Sequence, residues 1–202
     1  SLYLSALLRY PLPMEHMHRQ VFAAGVAVSD CAREVLPAER AVEIKWPNAV
    51  LIDGRKTSGI NLPVHLEIGK EPFAVLGIGV NVNLAAAELP PELAEIATSL
   101  RIAAGKPLDR VAFGEALLAR LEAELDCVRE GRFAAVLDRF RKSFRMAGRR
   151  VRIGGPGLTR EVTGTVHGVD EDGALLVEPF EPKGGPVERV LAGDVTLLRG
   201  DG

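Results

Sequence analysis

Long apolar runs, aromatic residues, cysteines and an excess of either charge are all scarce in this chain of 202 residues. No uninterrupted apolar stretch approaches the length that crosses a bilayer, and Ser1-Leu2-Tyr3 does not read as a secretory leader, so no membrane partner is expected. The formal net charge of −2 supplies no field for nucleic acid or an anionic surface. Phe180 is the only aromatic residue after position 147, too few for base stacking, so nucleic acid is not an expected partner. Cys31 and Cys127 are the only cysteines, and both fall on helical patterns. They read as buried thiols of a reducing cytoplasm rather than a disulfide or a metal site. His16, His18, His65 and His167 have neither ligand nor triad spacing, so no metal is expected.

What is present is the balance of a globular protein, 47% hydrophobic and 26% charged. The length suits one domain, or one large and one small. Leu2 to Tyr10 alternates as a strand does. Val21, Ala24, Val28, Ala32 and Val35 recur at helical spacing and predict a helix over 20–36, stopped by Pro37. Phe73 to Asn83 is a nearly continuous apolar run and reads as a buried strand. A short helix is expected over 91–98, and longer ones over 110–129 and from Phe133 to Phe144. After Gly148 the character changes to short β runs at 151–153, 162–169, 174–178 and 187–198, with Gly and Pro between them. The expected division is therefore 1–147 and 148–202. Arg149, Arg150 and Arg152 read as a solvated edge.

The most informative stretch is Lys45-Trp46-Pro47-Asn48-Ala49, followed by Asp53-Gly54-Arg55-Lys56 and Ser58-Gly59-Ile60. Apolar residues on either side of Asp53-Gly54 predict a hairpin with a tight turn. The glycine after Lys56 leaves room for a ligand or another backbone to come close. Lysines offer compact charges for a carboxylate or phosphate. From these residues alone, an ordinary exposed hairpin with solvated lysines stands equally open.

The stretch resembles the active-site hairpin of the biotin–protein ligases, within the biotin/lipoate ligase superfamily. Further similarities follow in the same order. They are Leu76-Gly77-Ile78-Gly79-Val80-Asn81, then Ala97-Thr98-Ser99-Leu100, and in the β region Asp172-Gly173-Ala174-Leu175 and Ala192-Gly193-Asp194-Val195. The resemblance implies an α+β fold, a mixed sheet backed by helices, with a small C-terminal SH3-like β-barrel. It implies ATP-dependent attachment of biotin to a lysine of a biotin carboxyl carrier domain through biotinyl-adenylate. ATP with Mg²⁺ and biotin would be substrates, with no tightly bound cofactor, and the resemblance leaves room for a homodimer.

By the same resemblance Lys56 is expected at the junction of carboxylate and phosphate. Lys45 would serve a phosphate or support the hairpin, and Asn48 would hold the adenylate or cap its turn. Ser58, Gly59, Ile60, Gly77, Gly79, Val80 and Asn81 would line the biotin or adenylate, with Asn81 reading adenine. Trp46 is expected to pack, and Asn83 to end its strand.

Several departures set a competing expectation. Ala49 stands where the family has Asp, and Asn61-Leu62-Pro63-Val64-His65-Leu66-Glu67 is longer than the family's apolar strand leading to a Glu. The resemblance also places Ser1 after the family's Gly/Arg-rich phosphate loop and biotin-pocket segment. Either the chain is a fragment of a longer protein or it is a catalytically impaired relative kept for binding or assembly, and as it stands it is expected to bind ligand weakly. A lipoate or octanoate ligase is the remaining alternative. The winged helix with which some ligases bind DNA has no counterpart here, which again argues against nucleic acid.

Overall fold

A computed structural model describes residues 1–9, 13–65, 73–155, 158–182 and 185–198. The chain divides into two compact units, Ser1–Ser143 and Phe144–Gly202.

The first unit is a six-stranded sheet with helices on one face. Its strands are β1 (Leu2–Leu8), β2 (Val42–Lys45), β3 (Ala49–Ile52), β4 (Arg55–Asn61), β5 (Val64–His65) and β6 (Phe73–Val80). The order across the sheet is β1-β6-β4-β3-β2, with β5 also on β6. The expected mixed character is confined to one isolated parallel bridge, between Lys56 and Ala97. Every strand pair is antiparallel. The reason lies in the connections: the short links make hairpins, while the helical crossover from β1 to β2 ends at the opposite edge.

Helix α1 (Arg19–Val35) is the core of this unit. Gly25 lies against the side chains of Ile44 and Ile60, 3.7–3.9 Å from where a methyl would stand. Phe22 meets Phe133 edge-on at 5.8 Å and Phe140 at 4.5 Å between ring centroids. Those rings belong to α4 (Phe133–Ser143), while α3 (Arg110–Arg129) packs along α1. Asp109 caps α3 by accepting from the backbone N–H of Val111 and Ala112. Arg33 ties α1 to the sheet, donating to the Val42 carbonyl at 2.9 Å and to Ser143 Oγ at 2.8 Å.

Some expectations fail locally. The segment 91–98 is not a helix. It holds one 3₁₀ turn, Pro91–Leu93, and further turns through Ile96, and at Ala97 the chain leaves them to pair its backbone with Lys56. A short helix, α2 (Leu100–Ala104), follows instead, capped by Ser99. Cys31 is buried, but Cys127 is half-buried near the end of α3, where Arg132 Nη1 approaches its Sγ to 3.1 Å. Tyr10, Leu66 and Glu67 lie outside the described residues.

The second unit is an antiparallel sheet of β7 (Arg150–Gly154), β8 (Val162–Val169), β9 (Leu175–Pro179), β10 (Glu188–Val190) and β11 (Asp194–Leu197). Its order is β10-β9-β8-β7-β11. Among the described residues β10 and β11 are not paired with each other, so the small barrel is open rather than closed. The run 187–198 was expected as one strand. It is two, because Gly193 turns the chain at φ +142°, where an added Cβ would fall 2.8 Å from Ile153 Cγ2 and 3.1 Å from the Gly154 carbonyl oxygen.

Candidate active site

The helices cover one face of the sheet of the first unit and leave the other open. Alternation along β6 sorts its residues: Ala74, Leu76, Ile78 and Val80 are buried, while Phe73, Val75, Gly77 and Gly79 face the open side. Residues directly opposite in an antiparallel sheet share a face. The register therefore places Lys45, Ala49, Gly59, Gly79 and Tyr3 in one row across five strands of the open face.

Lys56 joins this row through an irregularity. Three positions apart in a regular strand, Lys56 and Gly59 would point to opposite faces. The pairing of β3 with β4 shifts between Val50 and Leu51, so that Val50 opposes Ser58 and Leu51 opposes Lys56. Thr57 is the extra residue, a β-bulge, and Lys56 returns to the face of Gly59. A methyl at Gly59 would lie 3.3 Å from Lys56 Cε and 3.4 Å from Nζ, so the lysine stem runs over the glycine. Lys56 is exposed, while Thr57 and Ser58 are buried. Asp53 at φ +50° and Gly54 at φ +76° form the preceding two-residue turn, with the signature of type I′.

The backbone around Lys56 is fixed from a distant segment. Its N–H donates to the Ile96 carbonyl at 2.8 Å and its carbonyl accepts from Thr98 N–H at 2.9 Å. Asn81 holds the same segment, with Nδ2 donating to the Thr98 carbonyl at 3.1 Å and Oδ1 accepting from Ser1 Oγ. Its backbone N–H donates to the Thr57 carbonyl and its carbonyl accepts from Leu100 N–H. The Ala97-Thr98-Ser99-Leu100 loop is thus a strut for the lysine.

The residues expected at the site fall into two groups. Lys45, Lys56, Gly59, Gly77 and Gly79 share the open face. Ser58, Ile60 and Val80 turn their side chains to the helical face and are 1–3% exposed, because strand alternation leaves them no other direction. Only their backbone borders the open side. Gly77 is already covered: a methyl there would fall 2.0 Å from Asn61 Oδ1. Asn48 sits in the turn after the cis peptide Trp46–Pro47, with Nδ2 donating to the Ile60 carbonyl at 3.0 Å. Both functional groups of the Asn81 side chain are engaged in the strut. Trp46 is buried, 1% exposed, and Asn83 exchanges two bonds with the backbone of Leu108.

Reading the sequence missed Tyr3, Ser5 and Asn61 on the open face, although the alternation in Leu2–Leu8 carries the signal for the first two. A groove of about 360 Å³ between β1 and α3, lined by Ala6, Leu118, Leu121 and Leu125, lies on the helical side. Ala6 pairs with buried Leu76, so that groove does not communicate with the lysine row.

An open, glycine-floored face with two lysines and, among the described residues, no covering helix suits a flat anionic ligand lying on the backbone. Residues 147–198 match the family Biotin protein ligase C terminal domain. The Bifunctional ligase/repressor BirA of Bacillus subtilis is 29% identical over 201 residues, 98% of this chain and 58% of the relative. The biotin–[acetyl-CoA-carboxylase] ligase of Mycobacterium tuberculosis is 36% identical over 180 residues, 88% of this chain and 61% of the relative. The chain thus spans little more than half the length of these curated relatives. Among solved structures, the biotin protein ligase of Aquifex aeolicus superposes with a TM-score of 0.79 at 28% identity, covering 98% of this chain and 82% of that one. The same enzyme has been solved in complex with biotin and ATP, with a TM-score of 0.77. In its motifs, its sheet and these relatives alike, the chain is similar to the biotin protein ligases, and its residues 147–198 match their C-terminal domain.

Proposed function

We propose that this chain forms the core of an enzyme that uses ATP to join biotin to a lysine of a biotin carboxyl carrier domain. The observation that carries the reading is the placement of Lys56 over Gly59, in the row that also holds Lys45 and Gly79. In the first step a carboxylate oxygen of biotin attacks the α-phosphorus of Mg-ATP, the bond to the β-phosphate oxygen breaks, and pyrophosphate leaves. Two anions must meet, so fixed cations lower the barrier by stabilising the charge that gathers at the phosphorus. Lys56 supplies that cation at the junction, and Lys45 lies in the same row. Gly59 and Gly79, without side chains, let the ligand approach the backbone. In the second step the ε-amine of the carrier lysine attacks the acyl carbon of biotinyl-adenylate. AMP departs with the bonding pair, the amine proton passes to solvent, and an amide remains.

Ala49 bears on the rate. It stands between Lys45 and Gly59 in the row, where the family's carboxylate would sit beside the lysines. A carboxylate there orients a lysine or takes the proton of the incoming amine, so the present chain is a slow member. Loss of one positioned polar group in such a site costs on the order of 10²–10³ in rate. In the full-length protein, Ala49→Asp is expected to raise labelled-biotin transfer to a carrier domain. A parent at a rate typical of ligases, unchanged by Ala49→Asp, would remove the impaired reading and leave the ligase reading intact.

A further inference from the structure

Beneath the bulge that aims Lys56, three hydroxyls are enclosed. Thr57, Ser58 and Thr98 are 1%, 2% and 0% exposed, and the hydroxyl oxygen of each has no hydrogen-bond partner among the described residues. Thr57 and Ser58 are consecutive in β4, yet both are buried, because the bulge sets two residues against one of β3. The parallel bridge between Lys56 and Ala97 brings Thr98 beside Thr57, about 4.8 Å away at sheet spacing. Backbone bonds hold the group together: Thr98 N–H donates to the Lys56 carbonyl, and Asn81 N–H to the Thr57 carbonyl. A buried hydroxyl without a partner is costly, and valine would fill the place of either threonine without that cost. Bulk solvent reaches none of the three.

We propose that Thr57, Ser58 and Thr98 hold one ordered water beneath the bulge, and that this site positions Lys56. The inference rests on the adenylation role of Lys56 proposed above. A buried water makes about three hydrogen bonds, and three hydroxyls, each able to donate and to accept, supply them. The water joins the bulge in β4 to the strut at Thr98, on the side of the strand away from the Lys56 side chain. That join fixes where the bulge sits. A bulge slipped by one residue would take Lys56 off the face of Gly59. Even a displacement of about 1 Å from the carboxylate and phosphate costs the ammonium much of its effect on the rate. None of the three hydroxyls touches the reacting atoms, so all three belong to positioning residues.

Biotin-dependent exchange of labelled pyrophosphate into ATP, measured on the full-length protein, tests this. Thr98→Val removes a hydroxyl at nearly constant shape and is expected to slow exchange about tenfold, with an unchanged far-UV circular dichroism spectrum. Thr98→Ser, which keeps the hydroxyl, is expected to exchange severalfold faster than Thr98→Val. Because the effect runs through Lys56, Thr98→Val is expected to change exchange less than about twofold in a Lys56→Ala background. Ser58→Ala, a smaller change in case the valine variant does not fold, is expected to slow exchange about tenfold as well. Parental exchange in Thr98→Val or Ser58→Ala, Thr98→Ser as slow as Thr98→Val, or an equal loss with and without Lys56 overturns the positioning site while the ligase reading stands. A crystal structure in which the three hydroxyls bond one another directly, with no water among them, overturns it too. A parent without exchange overturns both.

Discussion

Lys56 reaches the open face because Thr57 is an extra residue in β4, and no periodicity of apolar residues announces such a bulge. The motif identified the lysine, but the direction of its side chain follows from pairing between strands. Ser58, Ile60 and Val80 show the converse. Their positions in the motif suggest contact with ligand, yet strand alternation turns each toward the helices. The cysteines are likewise distinguishable only in the fold. Burial pushes the Cys31 thiol up to about 11, against the lowering influence of Arg120, which itself pairs with Glu34 beside it. At neutral pH Cys31 is therefore a protonated, enclosed thiol, whereas Cys127 is half-buried beside Arg132. Iodoacetamide is expected to label Cys127 in the native protein and Cys31 only after unfolding, as read by peptide mass mapping. Equal labelling of both would contradict the packing of α1.

At the scale of elements, the β3–β4 hairpin was legible from Asp53-Gly54, and α3 from its apolar spacing. The segment after Pro91 was not, because its last residues, Ile96 to Thr98, are held by bonds to Lys56 rather than by their own sequence. Gly54, at φ +76° with open space around it, carries only a backbone requirement. Gly54→Ala is expected to cost about 1 kcal/mol, measured by urea unfolding, since a Cβ is disfavoured in that conformation. The Arg40–Asp53 pair at 2.9 Å and the bond from Ala41 N–H to Asp53 hold the turn in either case. Gly59 has the opposite character. Its conformation is open to any residue, but its face is occupied by the Lys56 stem. Gly59→Val is expected to displace the lysine and weaken biotin at least tenfold, with an unchanged far-UV circular dichroism spectrum. Retained affinity would show that Lys56 does not act over the glycine floor.

At the scale of the whole molecule, two units were expected from the change in composition near Gly148, and the fold divides at Ser143 and Phe144. The order of the sheets was not legible, because nothing local fixes β1 beside β6 across some seventy intervening residues. In the second unit, Asp170 organises the turn before β9. Burial pushes its carboxyl up, but bonds from Arg189 and from the backbone N–H of Ala174 and Asp172 outweigh this and hold it below the usual carboxylate range. A carboxyl depressed in the folded state stabilises above its unfolded value and loses that contribution as pH falls through the folded one. Asp170→Asn is expected to cost about 1–3 kcal/mol at pH 7, with the deficit shrinking below about pH 4, as followed by hydrogen exchange in β8 and β9. The central claim, that Lys56 on the glycine floor drives formation of biotinyl-adenylate, is tested most directly by biotin-dependent exchange of labelled pyrophosphate into ATP. In the full-length protein the account predicts exchange in the parent and a fall of about 10²–10³ in Lys56→Ala. No exchange in the parent, or equal exchange in the variant, would contradict it.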